Sequence, residues 1–242
     1  MTAPQRPPGE GPVNSRGNGV ELFPAAHEPG YAVYSGKSLA LYDALVLGFS
    51  NQLIWRCPSR HLTGHYSRHL SSDHLDIGVG TGYFLDRAPF PGPQPKITLL
   101  DPNLQCLKAA AARIGRYRPR TVKADALVPW PADLGRFGSI GLNYVLHCLP
   151  GDMTGKARLF DYLLPHLAEG GTVFGATILQ GDVPRSPTAR GLMKLYNAKG
   201  VFSNRNDTRQ ALGTALRKRF GQVRIDVIGC VALFSASGPT AV

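Results

Sequence analysis

The stretch from His74 to Leu85, HLDIGVGTGYFL, limits what this chain can fold into more than any other. A short apolar run reaches Asp76. Glycines follow at 78, 80 and 82, and Tyr83, Phe84 and Leu85 then open a helical pattern. The order reads as strand, tight turn, helix. Glycine lets the backbone turn sharply and lie against a ligand, because no Cβ intervenes. The first N–H groups of the next helix then point at whatever occupies the turn. The spacing is D-x-G-x-G-x-G. A dinucleotide fingerprint runs G-x-G-x-x-G, so the gap that admits a pyrophosphate is absent here. Taken alone, the motif also fits an ordinary glycine-rich turn.

At these residues the sequence resembles the class I S-adenosylmethionine-dependent methyltransferases, whose first motif is an acidic residue followed by G-x-G-x-G. Val79 stands where many members carry Cys or another small residue. The resemblance implies an α/β, Rossmann-like fold: a seven-stranded, mostly parallel sheet with an antiparallel last strand and helices on both faces. It also implies that Asp76, Gly78, Gly80, Thr81 and Gly82 approach the amino-acid and ribose parts of S-adenosyl-L-methionine, with S-adenosyl-L-homocysteine as product.

The chain downstream adds to this. Pro89, Pro91, Pro93 and Pro95 end the helix begun at Tyr83. Lys96–Asp101, KITLLD, is a continuous apolar run ending in a carboxylate, as a buried parallel strand should read. Asp101 lies 19 residues after Gly82. A carboxylate about 20 residues beyond the turn, at the tip of the next strand, is placed to accept both ribose hydroxyls. The alternative is a cap on the Ala-rich helix Leu104–Ile114, with Pro102 suited to a first helical position. Thr121–Ala124 reads as a third strand. By resemblance, Asp125 would take the adenine amino group and the Ala126 N–H the ring; a loop carboxylate beside Lys123 is the alternative.

Phe137–Asn143 reads as the fourth strand. Ligands of open α/β sheets bind beyond the carboxyl ends of the strands, so Asn143 and the residues after it face the cofactor. His147 is the general-base candidate there, since imidazole takes a proton near neutral pH; a structural or pocket histidine is the alternative. Tyr34, Trp55, Tyr144 and Tyr196, with Phe202, are expected to line the acceptor pocket, or else to belong to the core. Amino-methylating nucleic-acid enzymes carry N/D-P-P-Y/F at this tip, and the chain has Asn-Tyr-Val-Leu. No acidic residue occurs between Asp133 and Asp152. The glutamate pair of protein arginine methyltransferases and the carboxylate cluster of metal-dependent catechol enzymes are therefore missing.

The remaining elements follow from pattern. Residues 1–30, rich in Pro and Gly, read as a flexible tail, and residues 31–70 as a helical lid with helices at Ser38–Leu47 and Ser59–Leu70. Residues 71–242 form the cofactor-binding domain. Asp152–Leu167 reads as one helix ended by Gly170-Gly171, and Gly171–Leu179 as strand five. Thr188–Lys199 is a further helix. Asp207 is the expected N-cap of the next, with Gln210 as a capping-box partner. Two β-rich runs split by Gly229 close the chain as a tight strand pair.

Cys57, His61, His65 and His69 are spaced by four along one helical face. Four ligands on one straight helix cannot surround an ion, so no metal is expected. The cysteines at 57, 106, 148 and 230 share no metal spacing and suggest thiols of a cytoplasmic protein. No apolar run is long enough to span a bilayer. The net charge of +11 falls as −1 over residues 1–30, +3 over 31–72, +3 over 73–150 and +6 over 151–242. Such a field suits an anionic acceptor, a prenyl diphosphate for example, held by Arg185, Arg190, Lys194 and Lys199, or it is a solvated surface. The reading is a single-domain methyltransferase for a small-molecule acceptor of specialised metabolism, at O, N or C. The alternatives are an RNA/DNA methyltransferase, though nucleic acid lacks a recognition module here, and a non-catalytic nucleoside-binding module.

Overall fold

The computed structural model describes residues 50–240. The tail, the helix expected at Ser38–Leu47 and the pocket residue Tyr34 lie outside the described residues. Seven strands form one sheet: β1 (Asp73–Ile77), β2 (Lys96–Asp101), β3 (Arg120–Lys123), β4 (Phe137–Asn143), β5 (Leu167–Ile178), β6 (Phe220–Ile228) and β7 (Val231–Pro239). Their order is β3-β2-β1-β4-β5-β7-β6. β1 to β5 pair in parallel, and β7 runs antiparallel between β5 and β6. This is the sheet that the glycine turn and the terminal strand pair imply. The chain winds outward from β1 to β3 and then returns to lay β4 on the other side of β1. The crevice of an open α/β sheet lies at such a reversal.

The helices are α1 (Ser59–His69), α2 (Tyr83–Arg87), α3 (Leu104–Arg113), α4 (Met153–Lys156), α5 (Arg158–Leu163), α6 (Pro187–Ala198) and α7 (Arg209–Arg217). Tyr66 of α1, Leu85 of α2 and Leu107 and Ala110 of α3 pack with Ile97, Leu99 and Phe174 of the sheet. On the other face α4, α5 and α7 bury Met153, Phe160, Leu163 and Leu212 with Leu75, Ile77, Ile140 and Leu142. β1 shows how the alternation of a strand serves both layers: Leu75 and Ile77 enter one core, while His74 and Asp76 face α1. α1 carries the histidine ladder. His65 Nε2 donates to the Phe234 carbonyl at 2.9 Å, and His65 and His69 stack edge-on, so the ladder packs α1 on the sheet. Among the described residues no group of three or more His, Cys, Asp or Glu converges to hold a metal ion, and no helix is long and apolar enough to cross a membrane.

Two sequence expectations are corrected. The single helix Asp152–Leu167 is broken into α4, α5 and a 3-10 turn at Leu164–His166 that contains Pro165. Proline has no N–H to continue a helix, and β5 begins at Leu167. Gly170-Gly171 therefore lies inside β5, with Gly170 at φ +69°, where the pairing with β4 shifts register. Leucines spaced for a helix read across the proline as one element, because the apolar pattern is blind to that break. Asp207 is also not the N-cap of α7. Thr208 accepts the Ala211 N–H at 2.9 Å and the Asp182 carboxylate accepts the Arg209 N–H. Asp207 turns inward to Lys156.

Candidate active site

The order β3-β2-β1-β4 sets the expected site residues in a row along the carboxyl edge of the sheet: Asp125 after β3, Asp101 ending β2, Asp76 and the glycine turn at β1, Asn143 ending β4. Neighbouring strands lie about 4.8 Å apart, so four tips span roughly 14 Å. The row presents carboxylate, carboxylate, bare backbone and amide in sequence, which matches an elongated ligand with a base, a ribose and an amino-acid chain.

The turn is rigid behind and open in front. The Gly78 N–H donates to Leu100 O at 2.8 Å and the Gly82 N–H to Val79 O at 2.9 Å. Gly78 and Gly82 have φ of +67° and +73°, which favours glycine. A Cβ on Gly78 would meet Val145 Cγ2 at 2.6 Å, and one on Gly82 the Ala110 Cα at 3.0 Å. On Gly80 it would meet nothing within 4 Å, so Gly80 is where a ligand can lie against the chain. Thr81 is held from behind, since Arg113 Nη1 donates to its carbonyl at 3.1 Å and to its hydroxyl at 2.9 Å.

Asp101 is buried and accepts the N–H of Asn103 at 2.8 Å, with further N–H bonds from Gly80 and Val79. Burial pushes its pKa up to about 6 against those bonds, and the nearby Asp76 adds to the rise. The capping alternative falls to Asn103, whose side chain accepts the Gln105 N–H at 2.8 Å. Pro102 is half-buried between them. Asp125 is buried; its Oδ1 accepts the Leu127 N–H at 2.8 Å and its carbonyl the Trp130 indole N–H at 3.0 Å. Ala126 is buried beside it. Asn143 differs from all of these. Both Nδ2 and Oδ1 are buried without a hydrogen-bond partner. An unsatisfied buried polar group costs about 1–3 kcal/mol, a cost that a ligand with its own donor and acceptor would remove.

Beyond Asn143 lie the residues expected to line the acceptor pocket. Tyr144 adopts φ +59°, a left-handed conformation uncommon outside glycine. Its N–H donates to Ala176 O at 2.7 Å and its hydroxyl to Asn51 Oδ1 at 2.7 Å. His147 is buried, and burial next to Lys156 lowers its pKa to about 3. Its Nδ1 accepts the Ile178 N–H at 3.3 Å, which leaves the proton on Nε2. Aromatic rings continue from there: Tyr144 to His147 at 5.4 Å, His147 to Phe202 at 4.6 Å, Phe202 to Tyr196 at 4.9 Å and to Trp55 at 6.0 Å. Residues far apart in sequence thus form one aromatic cluster, in which Trp55, His147 and Phe202 are buried and Tyr144 and Tyr196 half-buried. The basic side chains do not join it. Arg190 donates to the Arg185 carbonyl at 2.9 Å, and Arg190, Lys194 and Lys199 are exposed. The sequence reading missed Tyr66, which bonds Asp76, and Asn51, which bonds Tyr144; no local signal marks either.

Gly80's open side, the buried orphan amide of Asn143 and the row of carboxylates fit S-adenosylmethionine: Asp101 would hold the ribose, the Asp125–Ala126 corner the adenine, and the glycine turn the amino-acid chain. Comparison with known proteins agrees. A methyltransferase domain model matches residues 75–173. The chain is 41% identical over 195 residues to protein YbcY of Escherichia coli K12, covering 79% of this chain and 99% of that one. It is 37% identical over 207 residues to a demethylluteothin O-methyltransferase of Streptomyces thioluteus, covering 86% and 90%. The solved structure of the N-methyltransferase NodS from Bradyrhizobium japonicum with S-adenosyl-L-homocysteine superposes with a TM-score of 0.56 at 17% identity, covering 84% of this chain and 98% of that one. The chain belongs to the class I S-adenosylmethionine-dependent methyltransferase family.

Proposed function

We propose that this enzyme methylates a hydroxyl oxygen of a planar, largely apolar small molecule, the acceptor lying on the Trp55–Phe202–Tyr196 wall. The observation that carries this reading is the continuous run of rings beside Asn143 and His147. Rings prefer offset or edge contact with other rings, and a flat acceptor supplies them. The O-methyltransferase among the relatives supports oxygen as the atom. The charged side chains of α6 face solvent, which favours an uncharged acceptor over a diphosphate.

Bound S-adenosylmethionine supplies a methyl group already activated on its sulfonium. What remains for the chain is in-line positioning. Asp101 and Asp125 fix the nucleoside end. Asn143 orients the ligand at the β4 tip. The acceptor hydroxyl gives up its proton to solvent before transfer, and His147, with Nδ1 occupied and the proton on Nε2, donates to the resulting oxyanion and holds it in place. The four cysteines are free thiols, in keeping with a cytoplasmic setting.

Transfer of labelled methyl to a panel of phenols and enols, beside matched anilines, tests the acceptor class. O-methyl products alone are expected, and N-methylation alone would overturn it. His147→Gln keeps a donor and is expected to lose less than tenfold in kcat/KM, against about 10–100-fold for His147→Ala. A wild-type pH profile with an acidic limb near 6.5 that both variants abolish would assign His147 the role of base instead.

A further inference from the structure

Asp76, His74, Tyr66, Ser139 and Ser71 form a buried chain of hydrogen bonds beneath the glycine turn, and its proton positions follow from one end. A carboxylate only accepts, so the Tyr66 hydroxyl donates to Asp76 Oδ1 at 3.1 Å. Tyr66 Oη must then accept from His74 Nε2–H at 3.1 Å. His74 Nδ1 and the Ser139 hydroxyl share a hydrogen bond of 2.8 Å. Ser139 Oγ in turn accepts the Ser71 N–H at 2.9 Å, while the Ser71 hydroxyl donates to Asp73 O at 2.6 Å. Ser71 Oγ also lies 3.0 Å from Ser139 Oγ, and His74 Nε2 lies 3.7 Å from Asp76 Oδ1. The space is built for the chain: Asp76 pairs in register with Gly141, where a Cβ would stand 2.7 Å from Asp76 Oδ1 and 3.1 Å from His74 Cε1.

The network does not explain itself as packing. Tyr66 is wholly buried between Phe84, Phe174 and His74, where a phenylalanine would fill the same space without a hydroxyl to satisfy. Its hydroxyl serves one carboxylate oxygen, and that carboxylate stands near the end of β1, two residues before Gly78, close enough to Asp101 to raise its pKa. We propose that Tyr66 and His74 are positioning residues: they fix the Asp76 carboxylate so that Oδ2 meets the ammonium of the cofactor's amino-acid chain. This rests on the assignment of the row to S-adenosylmethionine.

The test compares two ligands by calorimetry. S-adenosylhomocysteine carries the amino-acid chain, and 5′-methylthioadenosine keeps the nucleoside and thioether without it. Tyr66→Phe is expected to weaken the first about tenfold, as loss of a charge-assisted bond does, and to leave the second within about twofold. Ser139→Ala, two links away, keeps every ring in place and is expected to weaken S-adenosylhomocysteine about threefold, again without effect on methylthioadenosine. His74→Gln, which can donate and accept at the same points, is expected to restore affinity relative to His74→Ala. Equal losses for both ligands, or a lowered Tm with unchanged affinity for either, would overturn the proposal. Wild type that binds neither ligand would instead defeat the cofactor assignment beneath it.

Discussion

The carboxyl of Asp101 is 5% exposed, and burial raises its pKa to about 6 from the ordinary 3.8. It binds its proton more tightly folded than unfolded. Its contribution therefore favours the folded state as pH falls from about 6 toward 4 and opposes it above that window. The same proton removes an acceptor for the ribose hydroxyls, so cofactor affinity moves the other way and weakens below pH 6. Asp101→Asn separates the two effects. It is expected to lose more than tenfold in S-adenosylhomocysteine affinity at pH 7 while its stability in the free state rises by on the order of 1–2 kcal/mol. Denaturant unfolding with and without ligand checks both. A variant that loses stability and affinity together would show Asp101 to be a structural carboxylate. The position of Asp101 at the tip of β2 was legible because its cue is local, an apolar run ending in a carboxylate at a fixed distance from the glycines. Tyr66 was not, because residues 66, 74, 76 and 139 meet only when α1, β1 and β4 are assembled.

At the scale of elements, the segment between α6 and α7 decides how the aromatic cluster is placed. It carries Phe202 and is tied to the sheet by polar bonds. Lys156 Nζ donates to Asp207 Oδ2 and to Ser203 O, both at 2.6 Å. The Ser203 N–H donates to His147 O at 2.8 Å, and Asn204 Nδ2 to Ile178 O at 2.9 Å. Burial lowers the pKa of Lys156, and Asp207 offsets part of that. A buried pair gains little over apolar residues of the same volume, but breaking it strands a charge. Lys156→Met is thus expected to cost about 3–5 kcal/mol, and Lys156→Met with Asp207→Leu markedly less. Urea unfolding of the single and double variants measures this, and equal losses would contradict it. The sequence marked α6 by Gly200 after its end and α7 by its apolar spacing. It misplaced Asp207 because an acidic residue before a helix reads as a cap unless its buried partner, 51 residues away, is known.

For the whole molecule, the seven-stranded sheet was expected from the family resemblance carried by the glycine turn and Asp101, together with a Gly-split strand pair at the end. The helix count was less legible, since a break at Ala157, Pro165 and the early start of β5 divide one apolar pattern into three pieces. Arg116 and Arg219 pair with Asp86 and Asp161 on the surface, and the basic side chains of α6 lie away from the aromatic wall. The account rests on one row of residues reading S-adenosylmethionine from Asp125 to Asn143. Calorimetric titration with S-adenosylhomocysteine, beside NADH, on wild type and Asp101→Asn tests it most directly. Micromolar binding of S-adenosylhomocysteine, at least tenfold weaker in the variant, with no heat from NADH, is the predicted result. Failure of the wild type to bind S-adenosylhomocysteine, or equal binding by the variant, would contradict it.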